Sequence, residues 1–143
     1  MYGSPRSGDH KHMVKKNLRG QIESGVGDAG NSWGISEIRR VTGYTNLQKG
    51  TLNVRLKAEH ILSPYCNLRR EDRKDGIDED LYFEHCYLVI GDCRVPALIA
   101  RTSTNHWKSA VLEIMAEEML RACYGLQDRD TLEVEVWAEN CGG

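Results

Sequence analysis

The chain has 143 residues, which leaves room for one compact domain at the usual rate of roughly one domain per 150 residues. Hydrophobic residues make up 40% of the chain, charged residues 28%, and the net charge is only -2, which excludes a chain disordered throughout and a broad basic surface for nucleic acid or anionic lipid. No apolar run reaches the roughly 20 residues of a membrane-spanning helix, and the N-terminus lacks the apolar core of a signal peptide, so we expect a cytoplasmic protein without membrane or nucleic-acid partners.

The N-terminal residues differ in composition from the rest of the chain. Residues 1–16 are rich in Gly, Ser, His and Lys and show almost no apolar periodicity, which predicts a disordered tail, native or not. We expect the folded domain to span residues 17–138 and residues 139–143 to form a flexible C-terminus.

Short apolar stretches with the period of β-strands follow from residue 18 onward. Residues 51–56 alternate polar with apolar side chains, which is typical of a strand covered on one face. Residues 80–90 are rich in aromatic and β-branched side chains, and Gly91 and Asp92 then offer a hairpin turn into residues 93–99. These patterns predict strands.

The C-terminal half adds one helix and a last strand. Residues 116–124 contain good helix formers, and Gly125 is placed to end a short helix there. Residues 131–137 alternate cleanly and predict a half-exposed strand. The charged residues 67–76 show no hydrophobic stripe and predict a solvated loop. Together the elements indicate a small β-rich domain, such as a barrel, with one short helix.

The first segment that could carry chemistry is glycine-rich. Residues 20–30, called here the glycine-rich segment, contain Gly25, Gly27 and Gly30. Closely spaced glycines let backbone N–H groups approach an anion, so the segment could hold phosphates. It lacks the ending of a Walker loop and the spacing of a dinucleotide fingerprint. A flexible turn therefore remains the alternative.

The strand at residues 51–56 carries two neutral oxygen donors. Alternation places Thr51 and Asn53 on one face, while Leu52 points into the core. Hydroxyl and amide oxygens suit Mg²⁺, which also keeps waters and substrate phosphates as ligands. An ordinary exposed strand face is the alternative.

A polar stretch and an isolated acid follow. Residues 101–107 are rich in hydrogen-bonding groups, whereas Glu113 lies inside an apolar run. Such an acid lies either on an open strand face or in a pocket beside a ligand. Arg121 follows on the predicted helix and could meet a phosphate or form a surface ion pair.

The cysteines indicate no assembled site. They number five and form no CxxC pair, so neither a disulfide framework nor a closed zinc site is supported. We expect reduced, mostly structural thiols.

In this order, the segments resemble those of the archaeal-type CTP-dependent riboflavin kinases. The matching stretches are a glycine loop, a GTLN strand, a Thr-to-Arg segment and a final turn and strand, at Gly20–Gly30, Gly50–Leu56, Thr104–Arg121 and Leu126–Val136. The resemblance implies a small closed six-stranded cradle-loop β-barrel with one short helix in its C-terminal half. It also implies transfer of the γ-phosphate of CTP to the 5′-hydroxyl of riboflavin, giving FMN and CDP.

The resemblance also implies roles for particular residues. The nucleotide-binding residues would be Gly25, Val26, Gly27, Asp28, Ala29, Gly30, Glu118, Met119, Leu120 and Arg121. The Mg²⁺ ligands would be Thr51 and Asn53, and the flavin contacts would be Thr104 and Glu113. We add the hypothesis that Glu113 is the general base for the riboflavin hydroxyl, because of its apolar flanks.

The turn before the last strand departs from the family pattern. Asp128-Arg129-Asp130 replaces Asp-Gly-Asp, so either Arg129 adopts a conformation that glycine takes freely or the turn type differs.

Two alternative functions remain open. One is a non-catalytic homologue that binds flavin and nucleotide, and the other is a barrel that contacts protein or DNA.

Overall fold

The computed structural model describes residues 13–24, 33–103 and 110–139. Within them the chain forms seven strands, two α-helices and one 3-10 turn. The elements are β1 (Met13–Glu23), α1 (Ile35–Thr42), β2 (Leu52–Leu56), β3 (Cys66–Leu68), the 3-10 turn (Arg70–Asp72), β4 (Leu81–Ile90), β5 (Cys93–Thr102), β6 (Val111–Ala116), α2 (Leu120–Tyr124) and β7 (Thr131–Glu139).

Six antiparallel strands close into a barrel. The strand order is β3-β4-β5-β6-β2-β1-β7, and a further pairing between β4 and β7 closes the sheet. Both β3 and β7 pair with the same edge of β4: β3 opposite Leu81–Phe83 and β7 opposite Tyr87–Val89. The closed six-stranded barrel that the family resemblance implies is therefore confirmed, with the short β3 as an extra strand.

Alternation along the strands fills the barrel interior. Residues that point inward come from each barrel strand and form one apolar cluster, which includes Leu18, Ile22, Leu52, Val54, Leu88, Ile99, Leu112, Ile114 and Val134. Gly20 lies among them and pairs with both Leu56 and Leu132. A Cβ at Gly20 would clash with the carbonyl oxygen of Arg55 and lie 2.8 Å from Cγ1 of Val54. The interior at this point therefore requires glycine.

A second apolar cluster covers part of the outer face of the barrel. Ile38 of α1 and Leu47 pack there with Phe83, Leu98 and Met115 from the barrel strands. The sequence pattern did not predict α1. The helix has only eight residues, and it ends at Gly43, whose φ is 82°. A helix this short depends on packing more than on propensity, so its sequence carries a weak signal.

Three boundaries differ from the sequence predictions. Strand β1 begins at Met13, inside the predicted tail of residues 1–16, because Met13 to Lys16 pair with β7. Strand β7 continues to Glu139, beyond the predicted end of the domain at residue 138. The helix α2 begins at Leu120 and not at residue 116, because Ala116 is the last residue of β6.

The charged segment at residues 67–76 is not wholly a solvated loop. It includes part of β3 and the 3-10 turn. Arg73 is buried and donates hydrogen bonds to Asp75 Oδ2 at 2.6 Å and to the Glu79 carbonyl at 2.9 Å. These partners compensate for burial of the guanidinium, so the charge run is partly structural.

Four of the five cysteines lie in the described residues, and all four are free thiols: Cys66, Cys86, Cys93 and Cys123. Across residues 13–24, 33–103 and 110–139, no helix has the length and apolar character needed to cross a membrane.

Candidate functional site

A row of polar side chains crosses the outer face of three barrel strands. Glu23 of β1 pairs with Asn53 of β2, and Asn53 pairs with Glu113 of β6. The neighbours Leu52 and Val54 are buried in the barrel core, so the alternate residues face outward. Directly opposed residues place their Cβ atoms roughly 5 Å apart, so this register brings the three side chains together.

Thr51 joins this row from the start of β2. Its hydroxyl lies 3.4 Å from Oδ1 of Asn53, and it also hydrogen bonds the carboxyl group of Glu113. The predicted placement of Thr51 and Asn53 on one face is confirmed. Glu113 adds a third oxygen-bearing side chain to the same place, and we call Thr51, Asn53 and Glu113 the oxygen cluster.

Burial controls the acidity of Glu113. Desolvation raises its pKa above the ordinary value, while the hydrogen bond from Thr51 and the charge of Arg101 oppose the increase. On this outer face Glu113 pairs with Ala100 and lies two positions before Met115, and both are buried in the second apolar cluster, which explains the desolvation. A carboxylate with a raised pKa is a better proton acceptor than an exposed one, so Glu113 suits general-base chemistry.

A buried polar cluster supplies the charge that acts on Glu113. His60 Nε2 lies 2.8 Å from Glu84 Oε1, and Nη1 of Arg101 donates to the His60 carbonyl at 2.7 Å. The Arg101 side chain interacts electrostatically with both Glu84 and Glu113. In the sequence, Arg101 stands out only as part of a polar stretch, and no pattern connects it with Glu113.

Residue 24 is the last described residue of the glycine-rich segment before residues 25–30. Ser24 donates a hydrogen bond to Asp128, and Arg121 Nη2 donates to the same carboxylate at 2.7 Å and to the Glu23 carbonyl at 3.2 Å. These bonds lower the pKa of Asp128. Arg121 thus forms the ion pair considered as its alternative role, and it ties α2 to the start of the glycine-rich segment.

The turn before β7 also contacts the glycine-rich segment, through backbone hydrogen bonds to Ile22. The Arg129 N–H donates to the Ile22 carbonyl at 2.7 Å, and the Ile22 N–H donates to the Asp130 carbonyl at 2.9 Å. Arg129 has a φ of 75°, the left-handed conformation that favours glycine. Of the two outcomes that the sequence left open for this turn, Arg129 takes the first and adopts the conformation that glycine takes freely.

The residues before α2 point in different directions. Leu120 packs in the barrel core, so only its backbone is available to a ligand. Met119 is 64% exposed, and Glu118 accepts a hydrogen bond from the Tyr124 hydroxyl. Residues 25–30 and Thr104, which complete the predicted ligand contacts, lie outside the described residues.

Two further residues beside the oxygen cluster were missed. Nε of Arg55 donates to both carboxylate oxygens of Glu23, at 2.9 and 2.7 Å. Arg55 lies two positions after Asn53, so the alternation along β2 could have identified it as a neighbour on the same face. Glu23 could not be identified, because its position depends on the pairing of β1 with β2.

The oxygen cluster fits a hard divalent cation. No group of three or more His, Cys, Asp or Glu side chains converges in the part of the chain that the structure describes. However, the cluster combines a hydroxyl, an amide oxygen and a carboxylate, and Mg²⁺ prefers such ligands while retaining waters and phosphate oxygens. Thr51 and Asn53 are thus suited to the ion that the sequence predicted.

Comparison with known proteins gives one clear match. The model of a family named for CTP-dependent riboflavin kinases, and described as a domain of unknown function, DUF120, matches residues 24–136. No curated protein matches the chain. The matched residues include β2, the oxygen cluster, Arg121 and the turn at Arg129. The chain therefore belongs to the CTP-dependent riboflavin kinase family.

Proposed function

We propose that the protein is a CTP-dependent riboflavin kinase, which transfers the γ-phosphate of CTP to the 5′-hydroxyl of riboflavin and releases FMN and CDP. The observation that carries the proposal is the oxygen cluster beside the start of the glycine-rich segment. Membership of the family supports the same reaction. Phosphoryl transfer requires mainly positioning and charge neutralisation, which a small site of this kind can provide.

Thr51 and Asn53 would hold Mg²⁺ through the hydroxyl and amide oxygens that lie 3.4 Å apart. When bound, the ion would neutralise charge on the donor phosphates. The strand fixes both side chains on one face, because Leu52 between them is anchored in the barrel core. The chain's contribution is to place these oxygens where the transferred phosphate arrives.

Glu113 would orient and deprotonate the 5′-hydroxyl of riboflavin. The hydrogen bond from Thr51 fixes the direction of the carboxylate, and its burial raises the pKa. As the hydroxyl oxygen forms its bond to phosphorus, its proton passes to the Glu113 carboxylate, and the bond from phosphorus to the CDP oxygen breaks. Thr104 would contribute the second flavin contact that the resemblance implies.

The nucleotide would bind between residues 25–30 and the segment Glu118 to Arg121. Backbone N–H groups of a glycine-rich stretch suit phosphates. The Leu120 side chain is buried, so its contribution would come from the main chain. Arg121, Asp128 and Ser24 would keep the start of the glycine-rich segment in place for this contact.

The test is to incubate the pure protein with riboflavin, Mg²⁺ and either CTP or ATP, and to measure FMN by chromatography. The proposal predicts FMN formation with CTP. Binding of riboflavin without FMN from either nucleotide would instead indicate the non-catalytic homologue. Absence of any rise in melting temperature with riboflavin, FMN or CTP would favour a contact module for protein or DNA.

A further inference from the structure

Arg55 lies next to the oxygen cluster on the same face of β2. It follows Asn53 by two positions, so its side chain leaves the strand on the same outward face. Its Nε donates to both carboxylate oxygens of Glu23, the residue that pairs with Asn53. The guanidinium is therefore held beside the side chain of Asn53 and not turned away along the strand.

The ion pair leaves most of the hydrogen-bonding capacity of Arg55 unused. Only Nε donates to Glu23, and neither terminal amino group of Arg55 has an acceptor within the described ranges of the chain. An arginine has five N–H donors, of which the four terminal ones form the fork that matches phosphate oxygens. Arg55 is 59% exposed, so this fork is accessible to a ligand.

The acidic side chains around Asn53 would oppose the binding of phosphates, so a neighbouring cation is needed to offset them. Glu23 and Glu113 flank Asn53 in the register of the sheet, so two carboxyl groups border the place proposed for the donor phosphates. A triphosphate beside two acidic groups would be repelled. The positive charge of Arg55 offsets the charge of Glu23 and leaves the donor N–H groups for the incoming anion.

A cleft provides the space for such a ligand. It has a volume of about 880 Å³, and its lining includes Arg55, Glu23 and Ser24. Its charged lining consists of the cations Arg19, Arg55, Lys57 and Arg129 and the anions Glu23 and Asp128. The cleft thus extends from the start of the glycine-rich segment along a wall that carries a surplus of positive charge.

We propose that Arg55 is a phosphate-binding residue, which holds the terminal phosphates of the nucleoside triphosphate with its two amino groups while Glu23 positions it through Nε. The inference rests on the proposed kinase function for the identity of the ligand. It adds to that function a specific cation on β2, outside the residues that the family resemblance assigns.

The test compares Arg55→Gln, Arg55→Lys and a matched control, Arg69→Gln, in the intact chain. Arg69 is also exposed and also pairs with a carboxylate through Nε, that of Glu71 at 3.2 Å, but it lies directly after β3 and does not line the cleft. Calorimetry with Mg²⁺ measures the Kd of each variant for CTP and for CMP, which lacks the terminal phosphates. Thermal melting of each variant without ligand checks that the fold is retained.

The proposal predicts that Arg55→Gln raises the Kd for CTP by at least about tenfold, as expected for a lost charge-assisted contact. The Kd for CMP should change by less than about twofold, Arg55→Lys should give an intermediate Kd for CTP, and Arg69→Gln should match the wild type. In steady state, Arg55→Gln should raise the KM for CTP and leave the KM for riboflavin unchanged.

Equal CTP affinity in Arg55→Gln and the wild type would overturn the proposal, as would equal losses in Arg55→Gln and Arg69→Gln. A wild-type protein that binds no CTP would also overturn it. A wild-type protein that binds CTP but forms no FMN would refute the kinase function alone, and the comparison of CTP with CMP would still decide the role of Arg55.

Discussion

Replacing Glu113 with glutamine tests the chemistry assigned to the oxygen cluster. Glutamine has nearly the same shape and can still accept the hydrogen bond from Thr51, but it cannot take up a proton or carry charge. Glu113 lies between the buried residues Leu112 and Ile114 and faces Asn53 across the strand pair. The substitution therefore removes the proposed base while the packing around it is preserved.

The expected loss of activity is large. A positioned general base contributes roughly 10²- to 10⁴-fold to a rate, so kcat should fall by at least about 100-fold in Glu113→Gln. In the wild type, kcat should rise with pH through the raised pKa of Glu113, because only the carboxylate accepts the proton. This acidic limb should be absent from the residual activity of Glu113→Gln.

The same substitution should stabilise the fold at neutral pH. In the unfolded chain the carboxyl group ionises near its ordinary pKa of 4.5, whereas burial keeps it protonated to higher pH in the folded state. Wild-type stability therefore falls as pH rises from 4.5 through the folded pKa, by about 1.4 kcal/mol for each unit by which that pKa is raised. Glutamine does not incur this loss.

Two assays are run from about pH 5 to 9, roughly the range around neutrality where the carboxylate forms. One measures FMN formation by chromatography, and the other measures the urea unfolding of both proteins. The stability advantage of Glu113→Gln should grow with pH and then level off above the raised pKa. Unchanged kcat with weaker riboflavin binding would refute the role of Glu113 as a base. A stability difference that is independent of pH would refute the desolvated carboxyl group.

Three further substitutions test other parts of the structure. Asn53→Ala removes one amide oxygen from an outward position, so the Mg²⁺ concentration for half-maximal FMN formation should rise by at least about tenfold, with little change in urea unfolding. An unchanged Mg²⁺ requirement would exclude Asn53 as a ligand. Gly20→Ala places a methyl group against the Arg55 carbonyl, so the free energy of unfolding should drop by roughly 1–3 kcal/mol in urea titration. A drop below about 0.5 kcal/mol would show that the strands can move apart. Arg129→Gly removes the strain of a left-handed φ of 75° at a residue with a side chain, so the free energy of unfolding should rise by up to about 1 kcal/mol. A decrease would show that the Arg129 side chain stabilises the turn.

Features governed by local pattern could be predicted from the sequence. Alternation in residues 51–56 and 131–137 indicated β2 and β7, and it placed Thr51 and Asn53 on one face. The replacement of glycine in the turn narrowed the conformation of Arg129 to two alternatives, one of which the structure shows. In each case, the relevant constraint lies within a few neighbouring residues, so no knowledge of the tertiary structure was needed.

Features governed by contacts between distant residues could not be predicted. The pairing of Glu23 with Asn53, and hence the ion pair between Glu23 and Arg55, depends on the register of β1 against β2. The action of Arg101 on Glu113 depends on how the barrel closes. Met13 to Lys16 resembled a tail because their sequence lacks an apolar pattern, and their strand conformation comes from pairing with β7.

The most direct measurement of the central claim uses CTP labelled on its γ-phosphate. Incubated with the protein, riboflavin and Mg²⁺, the label should appear in FMN, with one CDP formed for each FMN, and Asn53→Ala assayed in parallel should lose most of this transfer. Label that remains in CTP, or that appears only as inorganic phosphate while riboflavin stays unmodified, would contradict the assignment of the oxygen cluster to phosphoryl transfer.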